Sequence, residues 1–231
     1  MRTLTCLACC ILLLVATGGR ADETLLTSFE RIDEAWHTGE IDFETAVAYK
    51  LYAVKSYEKL PGKYRSPIPI VCATSEILLI RRNWTRLSRM TQLELEPLLA
   101  RPTLSGPEHL YDTVHFKLHW TDSGADSTDT TYVDSLASFA EYSWTRQVDT
   151  LNWDAPPSDN GGGGDNKYDI YVKDNGGAGW AGYCETEAAG PDPAQEDATS
   201  FIVMENGLNN NQLKTTTAHE FNHGSQFSYS W

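Results

Sequence analysis

Positive charge is scarce in this sequence: 18 Lys and Arg stand against 32 Asp and Glu, a formal net charge of −14. Binding a polyanion needs clustered basic side chains, and none are found, so nucleic acid is excluded as a partner. Long apolar runs are also lacking. The N-terminal run "ILLLVA" at Ile11–Ala16 falls well short of the ~20 residues that cross a bilayer. It follows Arg2 and precedes the small residues "TGGRA", the order of an export signal over residues 1–21 with cleavage after Ala21. The expected mature chain is secreted and has no stable membrane anchor. Cysteine is sparse once that leader is set aside. Cys6, Cys9 and Cys10 lie within it, and Cys72 and Cys184 remain, too few for a disulfide framework. Two readings stay open: the two pair with each other, or Cys72 reaches a metal as a thiolate and holds an enzyme latent.

What is present divides near Pro107. Apolar residues at Leu25, Phe29, Ile32 and Trp36, and again at Phe43, Val47, Leu51 and Val54, recur at helical spacing on either side of Gly39. Asp42 is a natural cap for the second run. A further helix is expected between Ala73 and Arg101, so residues 22–106 read as a helical N-terminal segment, a candidate propeptide. Beyond it "TVHFKLHWT" alternates, with Val114, Phe116, Leu118 and Trp120 on one face and His115, Lys117 and His119 on the other, which predicts a half-buried strand. Val133, Leu136, Ala140, Trp144, Val148 and Leu151 predict one long amphipathic helix. Strands are expected at "KYDIYVKD", at "GAGWAGYCE", whose glycines permit close approach of another backbone or an ordinary bend, and at "SFIVME". A polar turn, "NGLNNN", then leads into the last helix. The predicted class is α+β.

That last helix carries His219-Glu220-Phe221-Asn222-His223. Histidines four apart share one helix face and can hold a single metal ion, while the glutamate after the first is within reach of a water on that ion. The chemistry this pattern serves is hydrolysis by a zinc-activated water, with Glu220 as general base. Zinc sites of this kind need a third protein ligand. A third histidine six residues after His223 is excluded by Tyr229, and no Asp or Glu follows His223. The missing ligand is therefore expected beyond Trp231. His109, His115 and His119 could substitute for it, but surface or core roles are expected for all three. Two acid-rich stretches, Asp159, Asp165 and Asp169, and Asp122, Asp126 and Asp129, offer oxygens to calcium but lack the spacing of a known calcium loop.

The stretches "HFKLHWTDSGAD", "YVDSLASFAEYSWTRQVDTLNW", "YDIYVKD", "GWAGYC" and "TTAHEFNHGSQFSYSW" resemble zinc metallopeptidases of the zincin type, and more closely a group of secreted bacterial metalloproteases. The resemblance implies that residues 107–231 are the N-terminal part of a zincin-like catalytic domain, with the order strand, helix, three strands, active-site helix. It implies His219 and His223 as zinc ligands, Glu220 as the base and a glutamate third ligand downstream. It also implies that an edge strand, here Gly179, Trp180, Ala181, Gly182 and Tyr183, binds a protein or peptide substrate as an added antiparallel strand. A non-catalytic secreted binding or adhesion module with a fortuitous motif is the alternative, and a metal-dependent amidase acting on a non-protein substrate is a third reading.

Overall fold

The computed structural model describes residues 26–190 and 196–229; the export signal expected at 1–21 lies outside them. The N-terminal hairpin forms as its capping signals dictate. Helix α1 (Ser28–His37) opens on a Thr27–Glu30 capping box, Gly39 turns the chain at φ +76°, and Asp42 caps α2 (Phe43–Lys55). Two short helices follow, α3 (Thr74–Arg82) and α4 (Arg89–Leu95).

One element between these helices was not expected. Val71–Cys72 forms a strand, β1, too short to leave a periodic signature. The remaining strands are β2 (His109–Asp112), β3 (Phe116–Trp120), β4 (Tyr168–Lys173), β5 (Trp180–Ala189) and β6 (Ala198–Glu205). They make a six-stranded mixed sheet in the order β1-β5-β6-β4-β3-β2. β3, β4 and β6 run parallel, β5 is antiparallel to β6, and β1 runs parallel to β5 with Val71 opposite Trp180 and Cys72 opposite Gly182. Helices α5 (Thr130–Trp144) and α6 (Asn210–Gln226) complete the chain.

The sheet is covered on both faces. Ile170, Val172, Ile202 and Met204 meet Leu136 and Ala140 of α5 and Leu213 and Phe221 of α6. On the opposite face Tyr171, Trp180, Tyr183, Phe201 and Val203 pack against Val54 of α2, Ile77 of α3 and Ala73 just before α3. The N-terminal segment is thus seated on the sheet. This changes the reading of β3. Lys117 and His119, expected to face solvent, are buried along with Phe116 and Leu118, whereas Val114 is exposed and outside the strand. A strand flanked by two neighbours and covered on both sides loses the polar face that alternation implies. The long helix also departs from expectation: it passes into a π-helical turn at Thr145–Thr150, and Leu151 is left exposed. Among the described residues no helix is long and apolar enough to cross a membrane.

Cation partners are built into the buried layer. Arg101 is bonded to Asp159, Asp169 and Glu187, Lys117 pairs with Asp165 at 2.9 Å, and Lys173 with Asp126 at 2.8 Å. The carboxylates considered for calcium thus already face protein cations, while Asp129 caps α5 and Asp122 lies 3.3 Å from His109.

Candidate metal centre

Asn209 and Gln212 form a capping box that starts α6 directly after the turn leaving β6. From that start, Leu213, Thr217, Glu220, Phe221 and Gly224 face the protein. Phe221 anchors the helix among Phe116, Trp144 and Tyr168, with ring centroids 5.4 to 6.1 Å away. Two glycines set how close the helix lies. A Cβ on Gly224 would meet the Tyr168 hydroxyl at 2.4 Å, and one on Gly182 would meet Thr216 Cγ2 at 2.8 Å and Glu220 Cγ at 3.0 Å. Gly182 therefore admits α6 against β5, the close approach read from the strand's glycines.

With the helix fixed in this way, His219 and His223 turn their Nε2 atoms toward one point, 3.1 Å apart. Two imidazole nitrogens each ~2.0–2.1 Å from one tetrahedral zinc would be roughly 3.3 Å apart. The pair is close to that spacing. His223 Nδ1 lies 3.0 Å from Gln226 Oε1, an acceptor, so Nδ1 carries the proton and the Nε2 lone pair is free to ligate. Burial holds His223 below the usual imidazole range, with His219 acting in the same direction and the Gln226 bond opposing it.

Glu220 is fully buried. Its Oε2 accepts a hydrogen bond from Thr74 Oγ1 at 3.0 Å, and its Oε1 has no partner among the described residues. Burial pushes its pKa up to about 7, against the lowering effect of the Thr74 hydroxyl and the Cys72 thiol. An orphaned carboxylate oxygen beside two converging imidazoles is a donor set that fits a divalent cation and a water on it.

The fourth member of the cluster comes from the N-terminal segment. Cys72 Sγ lies 3.7 Å from His223 Nε2 and 3.7 Å from Glu220 Oε2. One donor atom from each of Cys72, His219, Glu220 and His223 falls within 4.8 Å of the others. Burial, and after it the Glu220 charge, raise the Cys72 thiol to about 11. Thr74 is equally placed, donating to Glu220 and accepting from the Cys184 amide at 2.8 Å. Sequence reasoning missed Thr74 because no local motif connects residue 74 with residue 220; only the pairing of β1 with β5 does.

Other expected site residues are distributed as follows. Cys72 and Cys184 are both free thiols, so the disulfide is not formed. Cys184 is buried with its Sγ 3.3 Å from the Tyr168 hydroxyl, whereas Cys72 faces the histidines. His115 stacks on Trp144 and pairs with Glu141, His119 is buried between Glu108 and Asp169, and His109 packs on Trp120, so these three are held elsewhere. In the stretch expected to bind substrate, Trp180 and Tyr183 are buried under the N-terminal helices. Gly179 lies against Pro69 at φ +79°, and the edge of the strand is paired with β1. Clefts flank that contact: one of about 240 Å³ lined by Val71, Cys72, Thr215, Thr216, His219 and Glu220, and one of about 400 Å³ that includes Thr74, Arg82, His223 and Tyr229.

Compared with protein-family models, curated proteins and solved structures, the chain matches none.

Proposed function

We propose that this chain is a secreted zinc-dependent endopeptidase of the zincin type, with His219 and His223 as metal ligands and Glu220 as general base. The observation that carries the reading is the convergence of two imidazole Nε2 atoms 3.1 Å apart beside a buried carboxylate with an unpartnered oxygen. A bare helix with two stray histidines would not bury a glutamate next to them, because desolvating a carboxylate is costly unless its site has another use.

When bound, zinc supplies Lewis acidity, acidifying water and polarising the carbonyl to be cleaved. The chain's own groups then divide the proton work. Glu220, with a pKa near 7 in its buried position, accepts a proton from the attacking water on a carboxylate oxygen and hands it to the departing amine. Thr74 orients Oε2 and leaves Oε1 free for that exchange. Gln226 holds His223 in the ligating tautomer. Main-chain groups of β5 at Gly179–Tyr183 would dock a peptide as an added strand once that edge is clear.

Glu220→Gln is expected to lower peptide hydrolysis by about 10²- to 10⁴-fold while zinc content stays unchanged, and His223→Ala is expected to lose the metal. Undiminished hydrolysis by Glu220→Gln removes Glu220 from the mechanism. Unchanged zinc in His223→Ala removes the ligand assignment.

A further inference from the structure

From the geometry we infer that Cys72 is itself a ligand of the metal, and that by ligating it the N-terminal segment locks its own strand across the edge that a substrate would use. The inference rests on the proposed zinc site and adds to it a donor from this chain and a form of regulation.

The distances carry the assignment. A thiolate ~2.3 Å and an imidazole nitrogen ~2.0–2.1 Å from one tetrahedral zinc lie roughly 3.6 Å apart. Cys72 Sγ and His223 Nε2 are 3.7 Å apart, and the two imidazole nitrogens are 3.1 Å apart. Three donors therefore already span two edges of one coordination polyhedron. The Cys72 thiol donates to Thr74 Oγ1 at 3.4 Å, while that hydroxyl donates to Glu220; a thiol is a weak donor, so ligation would give up little in exchange for the metal bond. Glu220 provides a separate indication. Its carboxylate belongs to the same cluster of donors, and its Oε1 is buried and unpartnered among the described residues, which is unfavourable for a carboxylate and would be relieved by a nearby cation with its water. On ligation the Cys72 S–H bond breaks, the electron pair stays on sulfur as the thiolate, and the proton passes to solvent.

The backbone points the same way. β1 runs parallel to β5, the reverse of the antiparallel direction in which a substrate is expected to add, so it fills the edge with its peptide groups in the wrong sense for cleavage. Holding it there is strained: Val71 has φ +64°, a left-handed conformation that is a genuine outlier for a β-branched residue. The register also slips between Val71 and Cys72. Two residues of strand are a weak clamp, and a sulfur–metal bond supplies the hold that the pairing lacks. Thr74, two residues on, binds the general base, so one segment engages the metal ligands, the base and the substrate edge together.

The test is to load the full chain and its Cys72→Ser variant with cobalt(II) and record absorption. The expected result is a near-ultraviolet thiolate-to-cobalt charge-transfer band in the parent that is absent in Cys72→Ser, with cobalt affinity lower by more than about 100-fold in the variant, beyond the ~10–100-fold seen for outer-shell partners. Zinc added to the parent is expected to protect Cys72 from alkylation, read by peptide mass mapping with buried Cys184 as reference. Stoichiometric cobalt without the band, or Cys72 alkylated equally with and without zinc, overturns the thiolate ligand and leaves the His219–His223 site standing. Failure of the parent to bind cobalt at all overturns both readings. Retention of the band in Cys72→Ser assigns it to another thiol and overturns this inference.

Discussion

Replacing Glu185 with Gln tests how firmly the N-terminal helices are seated on the sheet. Glu185 lies on β5 with its side chain wholly excluded from solvent, and it is bonded to Lys55 of α2 and to Arg81 of α3 at 2.9 Å. Burial by itself lowers the pKa of Lys55, but the charge and hydrogen bond of Glu185, together with those of Tyr183, outweigh it and the net shift is upward. Removing the carboxylate charge leaves Lys55, 9% exposed at its side chain, and Arg81 as buried cations whose remaining partners are neutral, including the Tyr183 hydroxyl at 2.9 Å from Lys55 Nζ. Breaking one side of such a buried pair costs about 3–5 kcal/mol, and Glu185→Gln is expected in the lower half of that range because the amide oxygen still accepts one bond. The assay is urea unfolding by circular dichroism, comparing midpoints at unchanged slope. The pH dependence gives a second check. In the variant burial holds the folded-state pKa of Lys55 below its unfolded value, so the unfolded chain binds more protons in that interval and stability rises with pH; the deficit relative to the parent is therefore expected to shrink as pH rises toward the ordinary lysine range. Replacing Lys55, Arg81 and Glu185 together with apolar residues of similar size is expected to recover most of the loss. A Glu185→Gln deficit below about 1 kcal/mol would mean that the ion triad is hydrated, and would refute the seating of α2 and α3 on β5.

Three further outcomes follow from particular contacts. Gly182→Ala puts a methyl against Thr216 and Glu220 and is expected to cost about 1–3 kcal/mol, recovered in large part by adding Thr216→Ala; equal losses in single and double variants would show that Thr216 is not the obstacle. Val71→Gly relieves the φ of +64° and is expected to raise unfolding stability by up to about 1 kcal/mol after the entropy glycine adds to the unfolded chain; a loss would show that Val71 is not left-handed. Burial pushes Glu205 up to about 7, the Asn175 amide opposing it. Its folded pKa exceeds the unfolded one, so its contribution is fully present below about pH 4.5 and lost as pH rises to about 7; Glu205→Gln is expected to stabilise by on the order of 1 kcal/mol at pH 8, discounted for partial exposure, and not at pH 4. Equal stabilisation at both values would mean that Glu205 titrates normally.

The sequence by itself determined whatever depends on neighbours along the chain. Asp42, Thr27 with Glu30, and Asn209 with Gln212 mark helix starts because a cap acts within three residues. The alternation in β4 and the apolar run in β6 mark strands, and the four-residue interval between His219 and His223 puts both imidazoles on one helix face. The mixed α+β class followed from those elements. What the tertiary structure decided depends on contacts between distant segments. Burial of Lys117 and His119 on β3 required knowing that Arg101 and its carboxylates lie on that side of the sheet, and a strand's sequence does not say how many of its faces will be covered. The two-residue β1 carries no periodicity at all; it exists because β5 offers an unpaired edge. That pairing is what brings Cys72 and Thr74 to Glu220, about 150 residues away along the chain, because a hydrogen-bonded register acts through space and leaves no mark on local sequence.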